Sequence, residues 1–245
     1  MLRKTALSEV PVGTTFEAWN HKYTVLNKED DKVFVLAAEI ETRMQFHDNG
    51  KSYEVAPNDF RDSNIRDWLN NDYLSILKKN GLKDDDILDL EIDLKCTLGQ
   101  HEYGKDKVKV GLLTLEEYGK YYDVIPCVDD LWWWLATPYK TPSYLSNNSI
   151  GTNIVWAIDY DNDYFSDSCH HNEFGVRPTL NISPSLLVTW DDKSYTEDKD
   201  DWDEYIKYLH KWAIEHSDKF FVEYNPVCYY EWKLRYKGKT DQDEN

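Results

Sequence analysis

Hydrophobic and polar positions near the start of the chain follow the short period of β-strands. The runs 15–19, 22–26 and 32–38 are rich in Thr, Val, Tyr and Phe, and polar residues separate them at 20–21 and 27–31. Successive side chains of a strand point to opposite faces, so runs of this kind suit strands that have one face in a core. The pattern therefore predicts an antiparallel meander of three strands.

Two later segments carry apolar residues at helical spacing. The first predicted helix begins after the polar residues 62–64, ends at Gly81, and buries Ile65, Trp68, Leu69, Leu74 and Leu77. The second begins at Thr114, where Glu117 completes a capping box, and runs to about Tyr121. Each prediction combines a start signal with an apolar stripe.

Strands and loops alternate through the rest of the first 188 residues. We predict strands over 87–94, 108–113, 154–158 and 174–182, and polar loops over 139–153 and 159–172. The apolar run 131–135 contains three consecutive tryptophans, which we assign mainly to core packing. Pro178 cannot donate a ladder hydrogen bond, so an edge or a bulge is expected there.

The character of the sequence changes after Val188. Residues 191–203 are strongly acidic, and apolar residues at helical spacing then predict a helix over about 200–216. A hairpin over 219–236 is the expected continuation. We therefore divide the chain into a domain over 1–188 and an acidic extension over 189–245, with an α+β fold class for the first part.

Composition and charge narrow the classes of partner. The chain of 245 residues is 15% aromatic, enough to build a large core, and has a net charge of −18. Direct nucleic-acid binding is disfavoured, because it depends on Lys and Arg neutralising phosphates. No apolar run approaches the roughly 18 residues of a membrane span. Because no secretory signal opens the sequence, a cytoplasmic location is the expectation.

Four motifs follow the predicted meander in a fixed order. They are Ser63–Asn70, Leu112–Tyr118, Trp132–Pro138 and Gly175–Leu180, reading SNIRDWLN, LLTLEEY, WWWLATP and GVRPTL. In this order they resemble the DUF6273 family of Firmicutes and their phages, over roughly residues 10–188. The tryptophan and Gly-Val-Arg-Pro pieces also resemble the closing elements of the C-type-lectin-like fold, which includes the sulfatase-modifying group.

This resemblance implies a twisted antiparallel sheet with two helices and a long loop excursion that displays a variable surface. It also implies a phage or prophage origin, with the bacterial host's cytoplasm as the expected location and association with a virion left open. Residues after about 190 fall outside the resemblance. It supplies no function, because one fold serves many functions.

The strongest candidate site is the loop region between about 139 and 173. Aromatic side chains mixed with Asn and Asp make good recognition surfaces, because they give contact area at low entropy cost. A protein partner is expected, with a glycan as the alternative. The candidate binding residues are Tyr139, Tyr144, Asn147, Asn148, Asn153, Tyr160, Asp161, Asn162, Tyr164 and Phe165.

No cofactor is assigned to this region. The clustered Asp and Asn oxygens leave Ca2+ as an alternative ligand, but the spacing of an EF-hand loop is absent. Cys169-His170-His171 suggests a metal site less well, because adjacent residues rarely chelate one ion together. No metal ligands are therefore predicted.

Catalysis has no support from motifs. Neither a Gly-x-Ser-x-Gly elbow nor a phosphate-binding loop is present. The expected function is non-catalytic recognition, and an enzyme of the sulfatase-modifying type is the least favoured alternative. A second alternative is an acidic inhibitor that imitates nucleic-acid charge toward a host defence protein, through Asp198, Asp200, Asp201, Asp203 and Glu204.

Overall fold

The computed structural model divides the chain into two compact units. One unit is Leu2–Trp190, and the other joins Met1 to Asp191–Asn245. The structure describes residues 2–48, 56–128, 131–142, 151–159, 163–170, 173–191, 204–208 and 211. Within the predicted helix over 200–216, residues 204–208 are helical. The predicted hairpin over 219–236 lies outside the described residues.

Fifteen strands are defined in the described part of the chain. They are β1 Leu2–Ala6, β2 Thr15–Ala18, β3 His21–Lys28, β4 Val33–Ala37, β5 Thr42–Met44, β6 Ile87–Leu88, β7 Leu90–Asp93, β8 Lys105–Val108, β9 Val110–Gly111, β10 Trp133–Pro138, β11 Ile154–Ile158, β12 Tyr164–Ser168, β13 Phe174–Val176, β14 Thr179–Ile182 and β15 Leu187–Asp191.

The helical elements of the first unit are short. They are α1 Asn64–Trp68, a π-helical turn Leu69–Tyr73, α2 Leu74–Lys79 and α3 Leu115–Tyr121, with 3-10 turns at Leu7–Glu9, Phe60–Asp62 and Tyr122–Val124. Among the described residues, no helix has both the length and the apolar character needed to cross a membrane.

Two large sheets and a small hairpin organise these strands. The larger sheet has the order β1-β15-β2-β3-β4-β14-β6, with β9 also paired to β14, and the second has the order β12-β11-β10-β13-β5. β10 and β13 pair in parallel, whereas the other neighbours with a defined register pair antiparallel. The fold is therefore α+β and mostly sheet, which confirms the predicted class at this level.

The predicted meander is confirmed as β2, β3 and β4. A tight turn joins β2 to β3, where Trp19 and Asn20 both adopt positive φ, at 53° and 62°. Every residue of β4 is buried, and the strand lies between β3 and β14 within the larger sheet. A strand that is buried on both faces has a continuous run of apolar residues in its sequence.

The predicted helix starts are also confirmed. The Ser63 hydroxyl accepts a hydrogen bond from the backbone N–H of Arg66 at 3.1 Å, capping α1. Thr114 and Glu117 form the expected capping box at the start of α3. The π-helical turn was not predicted, because periodicity alone does not separate it from an α-helix.

Four strand predictions need correction. The strand predicted over 108–113 is divided between the end of β8, which pairs with β7, and the short strand β9, which pairs with β14. The single strand predicted over 87–94 is two strands, since β6 joins the larger sheet and β7 pairs with β8 in the small hairpin. The loop predicted over 159–172 contains β12, which pairs with β11 along its full length. The strand predicted over 174–182 breaks at Arg177 and Pro178, so β13 and β14 lie in different sheets.

This break is one of two neighbouring crossovers between the large sheets. The other is the segment 38–41, which leads from β4 to β5. The backbone N–H of Ala37 donates to the Pro178 carbonyl at 2.8 Å, and that of Glu41 donates to the Val176 carbonyl at 3.0 Å. The two crossovers therefore lie side by side. Pro178 fits here because its missing N–H falls outside both ladders.

Arg177 joins the two crossovers through its side chain. It is fully buried, and its Nε and Nη2 donate to the carbonyl oxygens of Ala37 and Ala38 at 3.1 and 3.3 Å. Its guanidinium carbon lies 4.7 Å from the ring centroid of Trp133. Burial lowers the pKa of Arg177 to about 9. The Gly175–Leu180 motif, which contains Arg177, lies near the end of the predicted domain, and the Arg177 side chain bonds the backbone there.

Gly175 lets the second crossover pack closely. A Cβ atom at this position would lie 2.0 Å from Cδ1 and 2.9 Å from Cγ2 of Ile40. We expect Gly175→Ala to lower the free energy of unfolding by about 1–3 kcal/mol through overpacking. Urea unfolding of Gly175→Ala, Ile40→Ala and the double variant measures this.

Removing the Ile40 side chain beyond Cβ removes the atoms that the new methyl group meets. The cost of Gly175→Ala should therefore shrink strongly in the Ile40→Ala background. Strictly additive costs would contradict this packing, because residues that do not touch contribute independently.

Candidate functional site

The structure describes four of the candidate binding residues. Tyr139 follows β10, Asn153 precedes β11, and Tyr164 and Phe165 open β12. Tyr144, Asn147, Asn148, Tyr160, Asp161 and Asn162 lie outside the described residues. The described part of the candidate site therefore lies in the β10–β11–β12 region and in the elements packed against it.

Tyr139 and Tyr164 lie on either side of Trp156. The ring centroids of Tyr139 and Trp156 are 5.8 Å apart, and those of Trp156 and Tyr164 are 5.7 Å apart. Trp156 pairs with Ser166, two positions from Tyr164, so both side chains lie on one face of the β11–β12 ladder. This face carries a row of three aromatic rings.

Phe165 lies on the opposite face of β12, as the alternation of a strand requires. Its ring centroid is 4.9 Å from that of Trp132 and 5.7 Å from that of Phe174. It belongs with the aromatic packing behind the sheet and not with the row. Phe165 and Tyr164 therefore lie on different faces of β12, and a binding role for Phe165 stays a prediction.

Helix α3 supplies the second wall of an open groove. The groove has a volume of about 680 Å³, within the range of roughly 300–1,000 Å³ typical of ligand sites. We call it the aromatic groove and define it by its lining residues, Thr97, Leu115, Tyr118, Gly119, Tyr122, Asp123, Trp156, Asp163 and Tyr164.

Two of its tyrosines offer their rings to solvent. Tyr122 is 50% exposed and Tyr164 is 61% exposed. Tyr118 is buried beneath Tyr122, with the two rings at 89° and 5.8 Å between centroids. Burial raises the pKa of Tyr118, so its hydroxyl stays protonated at neutral pH. The groove thus has a fixed aromatic floor and two accessible aromatic faces.

Gly119 lies in the interior of α3, where glycine costs about 1 kcal/mol relative to alanine. Its φ is not positive, and a Cβ atom placed on it would meet no atom within 4 Å. Neither backbone conformation nor packing requires glycine here. This side of α3 therefore borders open space.

The groove is negatively charged. Asp123 and Asp163 are both exposed, and among the described residues neither forms an ion pair. The position of Asp163 is held by its backbone, which donates to Asp159 Oδ1 at 2.9 Å and accepts from the Asp159 N–H at 2.9 Å. No Lys, Arg or His belongs to the described lining.

Asn58 holds the chain at both ends of the predicted loop excursion. It is fully buried, and its amide group donates to the carbonyl oxygens of Lys140, Gly151 and Ile154 at 2.9, 3.4 and 3.0 Å. Its carbonyl oxygen accepts from the Tyr103 hydroxyl at 2.7 Å. Residues 143–150 between these ends lie outside the described residues.

Sequence reasoning missed Asn58 and the α3 wall. Asn58 lies in a polar stretch, where nothing local distinguishes a buried anchor from a turn residue. Tyr118 and Tyr122 had a detectable signal, because aromatic side chains four positions apart share one helix face, with Gly119 beside them.

Other candidate chemistry is not assembled in the described residues. No group of three or more His, Cys, Asp or Glu side chains there could hold a metal ion. Cys169 is buried, which raises the pKa of its thiol to about 12, and His170 Nδ1 lies 2.9 Å from the carbonyl oxygen of His47. Of the acidic candidates, Glu204 is exposed, and Asp198, Asp200, Asp201 and Asp203 lie outside the described residues.

Comparisons of this chain with protein families, with curated proteins and with solved structures find no match. The likeness to the DUF6273 family and to the C-type-lectin-like fold therefore stays a prediction. The geometry and charge of the groove are the observations that bear on its function.

The role of Asn58 as an anchor is testable by an isosteric change. Asn58→Asp would place a carboxylate against three carbonyl oxygens, and we expect it to lower the free energy of unfolding by about 3–5 kcal/mol at about pH 7. The loss should be smaller at about pH 4, because a protonated carboxyl group can donate one hydrogen bond.

Urea unfolding at both pH values measures the effect. Asn71→Asp is the matched control, because Asn71 is exposed on the helical segment after α1. Equal costs for the two substitutions would rule out the anchor.

Proposed function

We propose that this protein is a non-catalytic recognition protein that binds its ligand in the aromatic groove. The proposal includes a C-type-lectin-like domain of phage or prophage origin with a protein as its partner. The observation that carries it is the combination of accessible aromatic faces with Gly119, a helix-interior glycine that faces open space.

The construction of the groove favours a preformed site. Its floor, Tyr118, packs edge-on against Trp133 with ring centroids 5.7 Å apart, and Trp133 is fully buried in β10. The start of α3 is tied to the same strand, since the Leu115 N–H donates to Thr137 Oγ1 at 2.8 Å. A preformed site loses less entropy on binding than a flexible one.

The chemistry of the groove also favours binding over catalysis. Its described lining contains no Cys, His or Lys, so the common pairing of a nucleophile with an imidazole or amine base is not assembled there. Aromatic rings with a few polar groups are typical of sites that bind through area and orientation.

Filling the groove tests the proposal. Gly119→Trp places an indole in the open space, whereas Gly119→Ala adds a single methyl group and serves as the matched control. Both residues form helices better than glycine does, so α3 should be retained. Ligands would be selected on the wild-type protein from a random peptide display library and from a glycan array.

We expect selected ligands to bind Gly119→Ala within about twofold of wild type and to lose at least about tenfold in affinity for Gly119→Trp, since tenfold corresponds to about 1.4 kcal/mol. Tyr164→Ala should lose a similar amount, because it removes an exposed aromatic face. Selection of no ligand, or equal binding by Gly119→Trp, would refute the proposal.

A further inference from the structure

We infer that the aromatic groove accepts an arginine or lysine side chain from a basic segment of a protein partner. This inference rests on the proposed function, because it names the ligand class of the same site. The charges in the described lining of the groove are unbalanced. The groove carries the carboxylates of Asp123 and Asp163, and its described lining includes no positively charged residue.

The carboxylates have no described cation to pair with. Some exposed acids elsewhere in the same unit do have cation partners. Asp89, for example, lies 2.8 Å from Lys107 Nζ and 2.9 Å from Lys109 Nζ, and these contacts lower its pKa to about 2. No lysine belongs to the described groove lining around Asp123 and Asp163. A ligand cation would complete their pairing.

The aromatic faces of the groove suit the same ligand. A cation over the face of a Tyr or Trp ring is attracted by the negative charge of the ring face, most strongly where water is partly excluded. Tyr122 and Tyr164 present such faces, and both line the same groove as the two carboxylates. Arginine fits best, because its planar guanidinium can stack on a ring and bond a carboxylate at once.

A neutral sugar fits the groove less well. Sugar hydroxyls need donors as well as acceptors from the protein, and the side-chain donors of the described lining are its Thr and Tyr hydroxyl groups and the Trp156 indole. The Trp156 Nε1–H, an obvious donor, is buried and has no partner among the described residues. A neutral sugar can donate hydrogen bonds to the two carboxylates, but unlike a cation it leaves their negative charge unneutralised.

The shape of the groove favours a peptide segment over a small free amine. A volume of about 680 Å³ exceeds what one side chain fills. The open space beside Gly119 leaves room for a peptide segment along α3. The net charge of −18 would also speed the encounter with a basic partner.

Charge-matched peptides test the inference. The probe is a hexapeptide, acetyl-Gly-Ser-Arg-Arg-Ser-Gly-amide, compared with the same peptide carrying citrulline in place of both arginines. Citrulline keeps the shape of arginine and removes its charge. Affinity would be measured by isothermal titration calorimetry at low and at moderate salt, since exposed ion pairs are screened by salt.

We expect the arginine peptide to bind at least about tenfold more tightly than the citrulline peptide at low salt. Asp123→Asn and Asp163→Asn should each weaken binding by roughly threefold to fivefold, the upper range for an exposed ion pair. Asp72→Asn is the matched control, because Asp72 is an exposed acid outside the groove lining. It should change affinity by less than about 1.5-fold.

The outcomes separate this inference from the proposed function. If Asp72→Asn weakens binding as much as the groove substitutions do, the attraction is general to the acidic protein and the inference is wrong. If the selected ligands are neutral peptides or glycans that still require an unfilled groove, the groove recognises another ligand class, and the proposed function stands without the inference. If Gly119→Trp binds every ligand as wild type does, both are wrong.

Discussion

The buried guanidinium of Arg177 joins the two chain segments that cross between the large sheets. Arg177 lies where β13 of the second sheet gives way to β14 of the larger one, and it bonds the neighbouring crossover at Ala37 and Ala38. Burying a charge costs several kcal/mol unless polar groups surround it. Two carbonyl oxygens and the face of Trp133 supply that environment, while Nη1 has no hydrogen-bond partner among the described residues.

The same packing carries the candidate site. Trp133 contacts Arg177 on one side and Tyr118 on another. The residue that packs against the buried charge therefore also supports Tyr118, the floor of the groove. Helix α3 is joined to β10 through Thr137. A groove attached to the core in this way is held in place by packing, and a ligand bound there would lose less entropy than in a flexible site.

A buried side-chain amide fixes the two ends of the β10–β11 connection. The two N–H donors of Asn58 lie within hydrogen-bond distance of the carbonyl oxygens of Lys140, Gly151 and Ile154. Buried polar groups with full partners specify one arrangement of the backbone.

Elements encoded by a few neighbouring residues were determined by the sequence alone. The β2–β4 meander and the Thr114–Glu117 capping box are such elements, because strand alternation and helix capping are local. Which faces meet was decided only by the tertiary structure. Arg177 and Ala37 bond across 140 positions, and Tyr118 of α3 and Trp156 of β11 line one groove. Long-range packing of this kind leaves no local periodic signal, so the aromatic residues could be chosen from the sequence but the groove could not.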